Sequence, residues 1–511
     1  MSMLFAPPLR FVTPRLSLIA GAISLALASA GHTAVEADNP SQILSTQPID
    51  DGLHTAINLD QLARQAVSVD AESAAAAIQQ LRAAGPAGLQ ALLQTHRQDL
   101  QRLWIPTPMP TSAPAHEEPF DGGTSSPTAT IPARPSHTMN VLLAGVQQAW
   151  LEAQSGQPKL TRLRHATEQV AAQRDAHASG LFWHTDLAAA KRAAAELQRP
   201  ILSLRLLGRL DEEMSCANSR LFRTTLYCDP AISRRLRDGF VLHWESVRPV
   251  PRMIIDYGDG RRLEQTITGN SVHYLLSPDG KPLDALPGLY SPGEFTAWLD
   301  QGDALAVWIE NWDADRRAPY LRAYHQQQLK QADPAGNPDM VWRSWLGANG
   351  HPAEPEATAA MAARLTLSKN AIEVRPLRQA GILAPPADSL ASVLERDSER
   401  RHAELTLSPA ARALIRAKLG ADQDPERFAS MIDNLERSIA GDTALNELVL
   451  RPRLRQWFVD DRIPTDLGEL TELLYAELFL TPLDDPWMGM ANIAFWPAID
   501  HGGMTVPSGA P

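Results

Sequence analysis

Cysteine is nearly missing from this chain: 511 residues contain two, Cys216 and Cys228. So small a supply excludes a disulfide-dense scaffold. No Cys-x-x-Cys pair exists, and no G-x-S-x-G, H-E-x-x-H, Walker loop or G-x-G-x-x-G occurs. The usual signals of a serine hydrolase, a zinc protease, an NTPase and a dinucleotide enzyme are therefore missing. The 14 histidines are scattered without metal-ligand spacing, so neither a metal nor a cofactor is expected. Positive charge is in deficit, with 47 Lys and Arg against 59 Asp and Glu and a net charge of −12. A nucleic-acid partner needs a basic face, and the charge balance offers none. Beyond the first thirty residues no apolar run is long enough to span a bilayer.

Those first thirty residues read as an export signal. Arg10 and Arg15 lead into the apolar stretch Leu16–Ala30, which ends in Ala28-Ser29-Ala30, a small-x-small cleavage pattern. As a helix that stretch rises only about 22 Å, short of a hydrocarbon core of roughly 30 Å. Residues 1–30 are thus assigned to a cleaved signal peptide, with no integral membrane segment left afterwards. The expected location is periplasmic or secreted, an oxidising compartment.

The remainder divides by composition. Residues 31–58 are polar and aperiodic and are expected to be disordered. Residues 59–104 form a helical hairpin broken at Gly85-Pro86, with His96 on its apolar face as a packed or rim histidine. Residues 105–136 are a Pro-rich linker, in which eight of 32 residues are Pro. A helical segment, 137–181, follows, with helices expected over 140–152 and 159–178. Residues 182–302 then alternate strand and helix signals. An Ala-rich helix (187–197) precedes the apolar run Pro200–Leu207, and a helix pattern runs from Ala217 to Tyr227. Asp229-Pro230 caps another helix, and Phe240–Glu245 is strand-like. Gly258-Asp259-Gly260 and Ser277-Pro278-Asp279-Gly280 mark two hairpins. Ser291-Pro292 opens a closing helix. Residues 303–511 read as a mainly helical C-terminal domain, with clear segments at 304–312, 357–365, 409–419, 425–439, 442–458 (bent near Pro452) and 467–478. The tail from Leu480 is irregular and expected to drape over the surface. The fold class is α+β with several domains: a mixed sheet with packed helices, flanked by N- and C-terminal helical regions.

Cys216 occupies the junction where the apolar run turns into a helix. A helix N-terminus carries unpaired N–H groups and a partial positive charge, and both favour a thiolate. Arg220 and Arg223 add to this field, and Asp211, Glu212 and Glu213 oppose it if they point inward. Cys228 lies twelve residues on, about 18 Å of helical rise, whereas a disulfide needs Cα atoms within about 7 Å. It is read as a small residue packed at a helix end. His273 lies near in sequence to the loop expected opposite Cys216, but as a strand residue it is read as structural. Asp256 and Asp259 are too sparse for a calcium loop. Glu447, Asp460, Asp461, Asp484 and Asp485 are read as surface acids rather than a glycosidase pair.

Several residues together resemble the thioredoxin-like superfamily. They are Trp183 with Asp186–Ala195 and Pro200 before the strand, Cys216-x-x-Ser219 at the helix start, Asp229-Pro230 leading to Phe240-Val241, and the Ser277–Gly280 hairpin with its closing helix. The resemblance covers about 182–300 and is closest to the branch with a W-x-x-x-L-x-x-A-x-x-x-A-x-x-x-x-R-P lead. It implies a thioredoxin-like mixed sheet, Cys216 as nucleophile, and the Ala217 and Asn218 amides with the Ser219 hydroxyl as thiolate stabilisers. It also places Gly269, Asn270 and Ser271 in the facing loop. Two family features are missing: Ser219 replaces the resolving cysteine, and no proline stands in the facing loop. Two readings follow. One is an exported protein performing single-cysteine thiol–disulfide chemistry on client proteins or small thiols. The alternative is a non-catalytic periplasmic scaffold that uses a degenerate thioredoxin-like domain.

Overall fold

The computed structural model describes residues 58–104, 158–266, 270–310, 314–332, 338–348, 390–420 and 424–486. The expected signal peptide, the segment 31–57, the Pro-rich stretch, the helices expected over 140–152 and 357–365, Gly269 and the tail after 486 lie outside these residues. The described part is mixed helix and sheet.

Four strands form the central sheet in the order β2-β1-β5-β6. They are β1 (Ile201–Leu207), β2 (Val241–Arg248), β5 (Ser271–Leu276) and β6 (Pro282–Pro287). β1 runs parallel to β2, β5 is antiparallel to β1, and β6 is antiparallel to β5. All seven residues of β1 are buried, as expected of a near-continuous apolar run in the middle of a sheet covered on both faces. A separate hairpin, β3 (Arg252–Asp256) with β4 (Arg262–Thr266), connects β2 to β5.

Helices follow their caps. The Asp186 carboxylate accepts from the Ala189 amide (2.9 Å), Asp229 from Ala231 (2.9 Å) and Ile232 (3.1 Å), and Asp466 from Gly468 (2.8 Å) and Glu469 (3.0 Å). Each satisfies amides left open at a helix start. The crossover from β1 to β2 contains the helix Ala217–Leu221, a wider turn over Phe222–Leu226, and the helix Pro230–Gly239. In that wider turn Tyr227 N–H donates to Phe222 O at 2.7 Å, an i→i+5 bond. The closing helix is longer than expected and runs unbroken over Pro292–Glu310.

One continuous core joins the sheet to the C-terminal helices: Leu202, Phe222, Tyr274, Phe295, Leu450, Leu470 and Tyr475 all belong to it. A smaller core unites the helices Ala71–Ala83, Pro86–Thr95 and Pro158–Ala171 through Leu81, Leu89, Leu92, Leu163 and Val170. At its tightest point a Cβ on Gly88 would lie 2.0 Å from the Leu81 carbonyl oxygen, so the approach of these two helices requires glycine. His96 packs here, its Nε2 within 2.9 Å of the Ala63 carbonyl.

The expected helix over 159–178 is corrected. It stops at Ala171, and Ala172 (φ 51°) and Asp175 (φ 61°) take left-handed conformations before the short helix Ala176–Ser179. The break turns Asp175 inward. There its carboxylate meets the buried Arg223 at 3.6 Å and accepts two bonds from Lys418 Nζ, each 3.1 Å. Glu168 accepts from the Asp175 amide (3.0 Å) and from Arg174 (2.7 Å). This ionic cluster ties Pro158–Ala171, the crossover and the helix Pro409–Leu419 together.

Removing one partner of a buried ion pair leaves a charge uncompensated, at a cost of about 3–5 kcal/mol. Asparagine tolerates the left-handed backbone. Asp175→Asn is therefore expected to lower unfolding stability by about 3 kcal/mol in denaturant titration, without changing the backbone turn. A loss near zero would mean the cluster is not energetically coupled.

Candidate functional site

Cys216 sits where β1's chain enters the helix Ala217–Leu221. It is that helix's N-cap residue, with extended ψ (157°), and its amide donates to Leu207 O at 3.1 Å. The polar turn 208–215 brings the chain back so that the cysteine abuts the end of β1. On the opposite side stands the start of β5. Asn218 Nδ2 donates to Ser271 Oγ (3.1 Å), which brings the helix N-terminus and the facing strand together. Asn270 is adjacent and buried.

The sulfur is closed off. Cys216 has 0% exposure. Burial pushes its thiol above the ordinary value, against the downward pull of the Ser219 hydroxyl and amide, the Leu207 backbone and the Arg220 charge. Burial holds the phenols of Tyr227 and Tyr475 well above the usual tyrosine value.

The Cys216 side chain makes no hydrogen bond to the amides at the start of its helix. The Ser219 hydroxyl donates to Cys216 O (2.9 Å), and the Asn218 side chain is committed to Ser271. Arg223 turns away to Asp175, Glu213 O and Ser215 Oγ, and Arg220 donates to Thr266 Oγ1 at 2.7 Å. Glu213 pairs with Lys418 and Arg174, which hold its carboxyl down to about 2.

Asn270, the facing-loop residue, is already engaged. Its Nδ2 donates to Thr481 Oγ1 (2.8 Å) and its carbonyl accepts from Tyr475 OH (3.1 Å). Tyr475 belongs to the helix that begins at Leu467 and continues in wider turns to Leu478. Tyr274 of β5 meets Thr471 on the same helix at 3.3 Å. Downstream, Arg248 donates to the carbonyls of Leu483 (3.3 Å), Asp485 (2.6 Å) and Pro486 (3.2 Å). Sequence reasoning assigned no role to Tyr475 or Thr481. They lie some two hundred residues from Asn270, and nothing local marks the pairing.

The remaining candidates are structural. His273 is fully buried, 2.6 Å from the Tyr227 hydroxyl, with its ring against Phe222 and Phe295. Cys228 is buried and donates to Thr224 O at 3.1 Å, and its thiol is pushed up to about 12. Glu447 is not a surface acid: Arg451 donates to it at 2.7 Å, and Arg451 also lies 3.8 Å from the buried Asp284 of β6. Among the described residues no group of three or more His, Cys, Asp or Glu could hold a metal ion, and no helix is long and apolar enough to cross a membrane.

Three fully buried histidines make the fold acid-sensitive. Burial lowers His243 and His273 from 6.5 to about 3, and His325 to about 4. Between these values and 6.5 the unfolded chain binds protons that the folded chain refuses. Their stabilising contribution is complete above pH 6.5 and falls as pH drops, by up to about 1.4 kcal/mol per unit per histidine. Thermal melting should shift steeply downward from pH 6.5 to 4.5. His243→Gln, which keeps a polar partner for Ser203 (2.8 Å from the imidazole), should flatten that slope. A flat wild-type profile would contradict the assignment.

No protein-family model, curated protein or solved structure matches this chain.

Proposed function

We propose that this chain is an exported, non-catalytic binding protein. In this reading a thioredoxin-like domain serves as scaffold, and the chain's own C-terminal segment closes the face where such a domain would take a client. The strand order β2-β1-β5-β6, the parallel β1–β2 pair, the antiparallel β5 and a cysteine at the helix following β1 support the thioredoxin-like part. The export part rests on Arg10, Arg15 and the apolar stretch Leu16–Ala30.

One observation carries the non-catalytic part. The thiol of Cys216 is inaccessible, and Asn270, the residue opposite it, spends its hydrogen bonds on Thr481 and Tyr475. A client polypeptide needs that loop's backbone and an open sulfur. The single-cysteine alternative has one feature in its favour, the N-cap position of Cys216 beside Ser219. Its step is attack of a Cys216 thiolate on a disulfide sulfur, giving a mixed disulfide and a leaving thiolate. That step requires the segment 467–481 to lift away first.

Thiol titration separates the readings. Neither cysteine of the native protein should label at pH 7–8, and both should label once the chain is unfolded. Tyr475→Ala, which removes the bond to Asn270 and opens the cover, should raise Cys216 labelling at least about tenfold, as about 1.4 kcal/mol of easier opening implies. Rapid native labelling with an apparent pKa below about 8.5, or a glutathione mixed disulfide at Cys216 in the unmodified protein, would overturn the proposal. In cells, Cys216→Ala should complement a deletion fully.

A further inference from the structure

The hairpin β3–β4 projects from the domain with its apolar residues in solvent. Every position of β3 is exposed. Met253 (39%), Ile254 (60%), Ile255 (38%), Tyr257 (57%) and Leu263 (39%) are among the most exposed large apolar side chains described. The two strands pair only with each other among the described residues. A two-stranded ribbon of this length is marginal alone in water, and an unprotected apolar edge invites another strand.

Backbone parity shows which groups the edge offers. Tyr257 N–H donates to Arg261 O (3.1 Å), in the register that pairs Ile255 with Leu263 and Met253 with Gln265. Hydrogen-bonded pairs alternate in an antiparallel ladder. Residues 253 and 255 therefore bond inward to β4, and the N–H and C=O groups of Arg252, Ile254 and Asp256 point outward, away from it.

We propose that the hairpin is a dimerisation arm: two copies of this chain join β3 to β3 in antiparallel register about Ile254. This register overlaps the whole strand. It sets Ile254 against its own copy, Met253 against Ile255, and Arg252 against Asp256 at both ends, so the pairing is self-complementary in charge as a two-fold interface must be. Asp256 already binds Arg262 Nε at 3.0 Å, so each Asp256 comes to stand between two guanidinium groups. On the other face Met253, Ile255 and Leu263 of the two copies merge into one apolar strip. Pro251 before the strand and Gly258 after it confine the pairing to these five residues, which gives a closed dimer rather than a fibre.

Sedimentation or light scattering of the purified chain tests this. The molar mass should rise toward double with concentration. Ile254→Pro deletes an outward amide only, which an edge strand tolerates, and should leave a monomer with an unchanged melting point. Arg252→Glu and Asp256→Arg should each weaken self-association at least about tenfold through like-charge juxtaposition. Mixed together, the two variants should form a heterodimer, because every pair is then opposite in sign. A wild-type chain still monomeric at about 200 µM, a concentration at which even a weak small interface is populated, overturns the proposal. So does a dimer indifferent to Ile254→Pro, or a variant pair that fails to associate on mixing.

Discussion

The structure depends on covering β1 from both sides. All seven of its residues are buried, yet two are polar, and a buried polar group must find a partner. Ser203 meets His243 of β2 at 2.8 Å, and Arg205 pairs with Glu245 of the same strand. On the face carrying Leu204 and His273, the crossover residue Phe222 and the closing-helix residue Phe295 stack on the His273 imidazole. The opposite face, carrying Ser203 and Tyr274, has no helix from the β2–β5 connection, because that connection is the projecting hairpin. The helix beginning at Leu467 fills the place, with Thr471 on Tyr274 and Tyr475 on Asn270.

Burial sets the chemistry of Cys216. A helix N-terminus stabilises a nearby anion by about 0.3–1 kcal/mol, reaching about 2 in the best partly buried cases. Full burial disfavours a charged group by up to about 3–5 pKa units. The second effect is larger, so a thiol in the position that usually favours a thiolate stays protonated.

Charge does the long-range stitching. Asp175, Arg223, Glu213 and Lys418 connect three parts of the chain, and Asp284, Arg451 and Glu447 join β6 to the C-terminal helices. Asp175, Arg223, Asp284 and Arg451 are buried and paired, so their value lies in specifying one arrangement more than in net stability. The hydrophobic cluster also passes from the sheet into the helices that follow it.

Much of the local structure was legible. The run Pro200–Leu207 announced β1 by its apolarity, Asp-Gly steps announced both hairpins, and Asp229-Pro230 announced a helix start. The placement of Cys216 at a strand-to-helix junction also came from these signals. They work because turns, caps and strand runs are decided by neighbours a few residues apart. The break after Ala171, the inward Asp175, the wide turn after Leu221 and the sealing of Asn270 by Thr481 were not legible. Each is decided by groups distant along the chain: an arginine some fifty residues on, or a helix two hundred residues away. Sequence alone determined where the thiol would stand relative to its helix. Tertiary structure alone decided whether water reaches it, because exposure is a property of everything else that must be covered.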